Sequence, residues 1–106
     1  MQVKWLRLAL ADLEEAAGYI AQSDSDAAKR IVTRIWQATQ VPADQPGMGR
    51  PGRVQGTREL LVTGTPYIVP YRVVGNAVQI LRVLHTSRKW PKGFRAEFSL
   101  LFLAKL

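Results

Sequence analysis

Cysteine is absent from this 106-residue chain, and histidine occurs once, at position 85. Those two absences exclude a disulfide framework, a catalytic cysteine and every Cys/His zinc site. Acidic residues are scarce after Asp44, where only Glu59 and Glu97 remain, so neither a two-carboxylate mechanism nor a Ser-His-Asp triad has the residues it needs there. Charged residues at Lys4, Arg7, Asp12, Glu14 and Glu15 break up the start of the chain, which therefore lacks the apolar run of a signal peptide. A cytoplasmic setting is the expectation. No cofactor or metal motif is present, and a hydrophobic content of 47% suffices for one core held by packing alone.

What the chain does have is positive charge, unevenly placed. The formal net charge is +7. Residues 1–44 hold five Lys and Arg against six acids, a net of −1, whereas residues 45–106 hold ten against two, a net of +8. A surface of one sign attracts anionic partners, such as nucleic acid or an acidic protein, and binding of that kind weakens with salt.

The hydrophobic period changes along the chain. QVKWL alternates and predicts a strand over Gln2–Leu6; Leu6, Leu10, Leu13, Ala17 and Ile20 then recur at helical spacing up to Gln22. SDSD supplies side-chain oxygens for a helix start. The second helix is expected over Asp26–Thr39, burying Ala28, Ile31, Val32 and Ile35, with Trp36 a further candidate. The proline- and glycine-rich VPADQPGMGRPG ends the helical region. Beyond it TRELLV, YIVPYRVV and AVQILRVLH read as strands, the last two joined by a Gly75-Asn76 turn. The expected fold is α+β: an N-terminal strand, an αα-hairpin, then an antiparallel β meander, with the helices packed on one face of the sheet.

A two-residue turn sets Arg72 opposite Gln79 and divides the hairpin into faces. Tyr67, Val69, Tyr71, Val78 and Ile80 share the expected core face, with Arg82 at its margin. Ile68, Pro70, Arg72, Gln79, Val83 and His85 share the other, where Arg72 and His85 are expected to point toward solvent or ligand. The run GRPGRVQGTREL, Gly49–Leu60, lacks the Gly-Lys-Ser/Thr ending and following helix of a phosphate loop. Met48 stands where a minor-groove hook has its first arginine, so the run reads as a loop feeding a strand. Trp90 reads as a lid over a core edge. FRAEFSLLFLAKL, ending at Leu106, has helical spacing but is too short to span a bilayer.

The segment from Gly49 to Pro91 resembles the RelE/ParE superfamily of toxins from bacterial type II toxin–antitoxin modules; PYIVPYRV and ILRVLHTSRKWP are similar to its ParE-like branch. That resemblance implies a toxin domain over residues 1–91; residues 92–106 depart from the pattern, running on past the point where such relatives usually end, and their spacing reads as a helical C-terminal extension. It also implies an acidic cognate antitoxin and one of two targets. A ParE-like toxin would inhibit DNA gyrase by binding, with Arg50, Arg53, Arg58, Arg72, Arg88 and Lys89 as candidate target or nucleic-acid contacts. A RelE-like toxin would be a metal-free endoribonuclease acting on mRNA at the ribosome, with His85, Arg72 and Arg82 as the catalytic candidates. Ile68 occupies the place of an arginine common in the ribonucleases, which favours the gyrase expectation. A nucleic-acid-binding module without toxicity is the third reading.

Overall fold

The computed structural model describes residues 1–87. Strand β1 spans Gln2–Trp5, helix α1 Arg7–Ala21 and helix α2 Ser25–Gln40, followed by one 3-10 turn at Val41–Ala43. The remaining strands are β2 (Arg50–Pro51), β3 (Arg58–Leu61), β4 (Tyr67–Val74), β5 (Ala77–Ile80) and β6 (Leu84–His85). They form a six-stranded sheet in the order β1-β5-β4-β3-β2, with β6 also paired to β4. The α+β order of elements and the antiparallel meander from β3 to β5 are as expected. β1, however, runs parallel to β5, so the sheet is mixed. A crossover through the helical hairpin permits this direction, which alternating side chains cannot reveal.

Local chemistry explains the two helices. The Asp24 carboxylate accepts a 3.0 Å hydrogen bond from the Ala27 N–H, so the SDSD run caps α2 as expected. On α1, Ala9, Leu13, Ala16 and Ile20 turn toward the sheet, while Leu10 is 44% exposed. Leu13 and Ile20 of the expected stripe keep their places, whereas Leu10 gives way to Ala9, whose small side chain allows the helix to approach the strands closely. Ala28 and Ile35 of α2 are buried, but Trp36 lies on the surface with its ring stacked on Trp5, centroids 5.6 Å apart. Ala9 and Ile35 meet Leu60, Val69, Tyr71, Val78 and Ile80 in the main core.

The β4–β5 turn behaves as expected. Gly75 has a φ of 57° and no non-glycine residue has positive φ among those described, the pattern of a type II′ turn with glycine first. Arg72 pairs with Gln79 and Val74 with Ala77. Beyond β5 the pairing slips. Tyr71 faces Ile80 but Ile68 faces Leu84, so three steps along β4 correspond to four on the returning strand. One extra residue is accommodated between Leu81, whose N–H still reaches the Pro70 carbonyl at 2.9 Å, and Leu84. This is a β-bulge, and every side chain after it changes face.

Asp12 of α1 holds the bulge. Its carboxylate accepts hydrogen bonds from Arg82 Nε at 2.7 Å and Arg82 Nη2 at 3.0 Å, and from the Val83 N–H at 3.0 Å. The expected faces are corrected accordingly: Val83 joins the main core, and His85 stands opposite Tyr67 on the helix-covered side. The Asp12 and Arg82 side chains are only 15% and 12% exposed. Asp12→Ala should therefore cost about 3–5 kcal/mol in urea unfolding, because it leaves a poorly hydrated guanidinium and a bulge N–H without their acceptor. The pair Asp12→Ala/Arg82→Met should recover part of that loss; strictly additive costs would show that the two side chains do not act together.

Candidate functional site

Two regions carry the polar groups singled out in the sequence: the arginine-rich loop before β3, and a cleft beside α1.

The loop is organised by two buried acceptors. Tyr71, fully buried, donates its hydroxyl proton to the Pro46 carbonyl at 2.7 Å and accepts from the Gly49 N–H at 2.9 Å. A Cβ on Gly49 would lie 2.7 Å from Tyr71 Cε1, so only glycine allows the loop to close over this ring. Glu59 is the second acceptor, 3% exposed. It receives the Arg53 N–H at 2.9 Å, Arg53 Nε at 3.2 Å and Arg50 Nη2 at 3.2 Å. Arg58 turns the other way and donates to the Gly49 carbonyl at 2.8 Å. Arg50, Arg53 and Arg58 are therefore brought together by the loop, but each first serves the loop's own structure. The side chains of Arg50 and Arg53 remain about half exposed at 48% and 49%. Glu59 does not stand alone, as its isolation in the sequence suggests. Its donors, on Arg50 and Arg53, lie within nine residues of it, a local pattern that an acid amid arginines could have signalled.

The catalytic candidates are divided between the two sides of the sheet. Arg72, expected to face solvent or ligand, is only 3% exposed and donates Nε to the cross-strand Gln79 Oε1 at 2.7 Å. Burial pushes its guanidinium pKa down. Ile68, Pro70, Gln79 and Leu81 on the same side are buried as well, with Val54 and Leu6 packed against Leu81. On that side Leu81, Val54 and Leu6 form a second, smaller core.

His85 and Arg82 line a cleft of about 580 Å3 on the opposite, helix-covered side. Tyr67 approaches His85 edge-on, with ring centroids 5.3 Å apart. The expectation that no tyrosine shares the face of His85 is thus overturned by the bulge. His85 Nδ1 accepts the Ser87 N–H at 3.1 Å and lies 2.8 Å from Ser87 Oγ. An Nδ1 that accepts from a main-chain N–H leaves the proton of neutral imidazole on Nε2. Across the cleft α1 contributes Asp12, Glu14 and Glu15. Sequence reasoning did not connect these acids with His85, since about seventy residues separate them and only packing unites them. Arg88 and Lys89, like the extension from residue 92, lie outside the described residues.

Two measurements follow from the loop. Burial raises the Glu59 carboxyl pKa, but the hydrogen bonds from the Arg53 N–H and side chain, the charge of Arg53 and the hydrogen bond from Arg50 outweigh it, leaving the pKa below its ordinary 4.5. A carboxyl lowered by folding contributes stability in full above its unfolded pKa and loses it as pH falls through the folded value. Urea midpoints should therefore drop more steeply below pH 4.5 in the native protein than in Glu59→Gln; parallel curves would refute this role for Glu59. Tyr71→Phe, which strips both loop contacts, should cost about 1–3 kcal/mol near neutral pH, and an unchanged midpoint would contradict the bonding described.

Comparison with known proteins places this arrangement. Residues 3–90 match the family described as "ParE toxin of type II toxin-antitoxin system, parDE". The Sinorhizobium fredii protein Y4kP, which carries a toxin designation, is 44% identical over 91 residues, covering 86% of this chain and 94% of the relative. Toxin RelE2 of Caulobacter vibrioides is 38% identical over 87 residues, covering 82% and 97%. A solved chain of the chromosomal ParDE TA system from P. aeruginosa superposes with a TM-score of 0.72 at 34% identity, covering 82% of this chain and 97% of that one. With the αα-hairpin, the meander and residues 3–90 all matched, the chain belongs to the ParE toxin family of type II toxin–antitoxin systems, within the wider RelE/ParE superfamily.

Proposed function

We propose that this toxin arrests growth in the cytoplasm by binding DNA gyrase and trapping it, and that an acidic cognate antitoxin neutralises it. The observation that carries this reading is the dispersal of the catalytic candidates. Metal-free RNA cleavage needs a base that can take the ribose 2′-hydroxyl proton and a cation placed on the scissile phosphate. Here the accepting nitrogen of His85 is occupied by Ser87, Arg82 is clamped to Asp12, and Arg72 lies buried on the far side of the sheet. The position where the ribonucleases commonly carry an arginine holds Ile68, 4% exposed. Inhibition by binding requires none of these groups to converge. It requires a presented surface, and the half-exposed Arg50 and Arg53, held at fixed geometry by Glu59, supply part of a basic one.

One observation favours the ribonuclease alternative: Arg82, Tyr67 and His85 do line one cleft. The two readings separate in a pair of assays on the full chain. Saturating toxin is expected to block gyrase supercoiling, with His85→Ala as potent as the native protein within about twofold, while ribosome-programmed mRNA stays intact. Cleavage of that mRNA, lost in His85→Ala and accompanied by normal gyrase activity, would overturn the proposal. Absence of both effects, with no growth arrest on induction, would leave the nucleic-acid-binding module.

A further inference from the structure

The chain leaves the described fold at the wall of the cleft beside α1. The Thr86 N–H donates to the Pro66 carbonyl at 2.8 Å, and the Ser87 N–H turns back to His85 Nδ1 at 3.1 Å. Those two bonds hold the last described residue next to His85, which lines the cleft. Across from it, α1 presents an acidic and aromatic wall. Asp12 is matched by Arg82, but Glu14 and Glu15 are exposed and form no ion pair among the described residues. Tyr19, one turn further along, is 65% exposed. In a chain with a net charge of +7, this wall attracts cations where most of the surface repels them.

The remaining sequence has the matching chemistry. Residues 88–106 carry Arg88, Lys89, Lys92, Arg95 and Lys105 against Glu97, a net of +4, with Phe94, Phe98 and Leu101 at helical spacing among them. Phe94 stands seven residues past Ser87, a reach of at most about 25 Å, which suffices to cross a cleft of about 580 Å3. A second concavity offers apolar surface without that complementarity. This groove of about 690 Å3, between the C-terminal half of α2 and the outer edge of the sheet, is lined by Met48 and Leu61 but also by Arg34 and Arg50, which repel a cationic segment.

We propose that residues 92–106 fold back as a strap over the cleft beside α1, with Lys92 and Arg95 meeting Glu14 and Glu15 and with Phe94 and Phe98 packing on Tyr19. The short tether makes the contact intramolecular, so pairs that would be weak between separate molecules hold the strap in place. So seated, it covers His85 and Arg82 and leaves the arginine-rich loop uncovered.

The test uses the full chain throughout. With no cysteine and a single histidine in the sequence, a nitroxide on Ser99→Cys gives one label and the His85 ring Cε1–H gives one NMR signal. That signal should lose most of its intensity in the labelled chain. It should regain it when Glu14→Lys/Glu15→Lys or Phe94→Asp is added, and in high salt. Asp26→Lys/Asp44→Lys makes the same change in net charge at exposed sites outside the cleft and should leave the loss as it was. Full intensity in the labelled chain without these changes would overturn the strap. Equal loss in every variant would overturn it too, by showing that the tether alone brings the label near. Loss on an unlabelled chain mixed with a nitroxide-bearing one would overturn it by making a second copy the source of the segment.

Discussion

The geometry around the single histidine depends on one carboxylate. Asp12, on the first helix, accepts both Arg82 nitrogens and the Val83 N–H that the sheet ladder cannot use. Without that acceptor the bulge would leave a main-chain donor and a poorly hydrated guanidinium without the carboxylate that holds them, an arrangement with a cost of several kcal/mol. With it the strand slips by one residue, Val83 enters the core, and His85 swings to the helix side beside Tyr67. The contact also ties α1 to the last described strand across seventy residues of sequence. A local ladder defect thus becomes a tertiary anchor.

The arginine-rich loop follows the same logic at shorter range. Guanidinium groups that look, in sequence, like a display for phosphate are first used to satisfy buried acceptors: Arg50 and Arg53 on Glu59, Arg58 on the Gly49 carbonyl. Such pairing holds each group at a fixed geometry, and a held guanidinium loses less entropy on meeting a partner than a free one. Structural and recognition roles therefore coexist. Charge carried by a folded loop becomes a shaped surface instead of a diffuse cloud.

Membership of the ParE family sets the class of function and implies a cognate antitoxin; the finer choice of target rests on how the polar groups are distributed. The ribonuclease reading needs convergence, and the two sides of the sheet keep Arg72 apart from His85. No helix among the described residues is long and apolar enough to cross a membrane. The groove beside α2 and the cleft beside α1 lie on different flanks and differ in charge, so the molecule offers separate surfaces with separate chemistries.

Local order decided much of this in advance. The helical period of residues 6–20, the SDSD cap and the Gly75-Asn76 turn each depend on neighbours within a few positions, so α1, α2 and the β4–β5 register were legible from the residues themselves. The motif between Gly49 and Pro91 likewise disclosed the family. What depended on distant partners was hidden. Alternation tells which side chains share a face but not which way a strand runs, so the parallel pairing of β1 appeared only in the fold. It also presumes an unbroken ladder, so the exchange of faces at His85 awaited a carboxylate supplied from the other end of the chain, and the burial of Arg72 awaited packing on the far side of the sheet. Sequence alone determined the elements, their order and the excess of positive charge. Tertiary packing decided which charges are spent on the fold and which face a partner, because desolvation and hydrogen-bond satisfaction are settled only when distant groups meet.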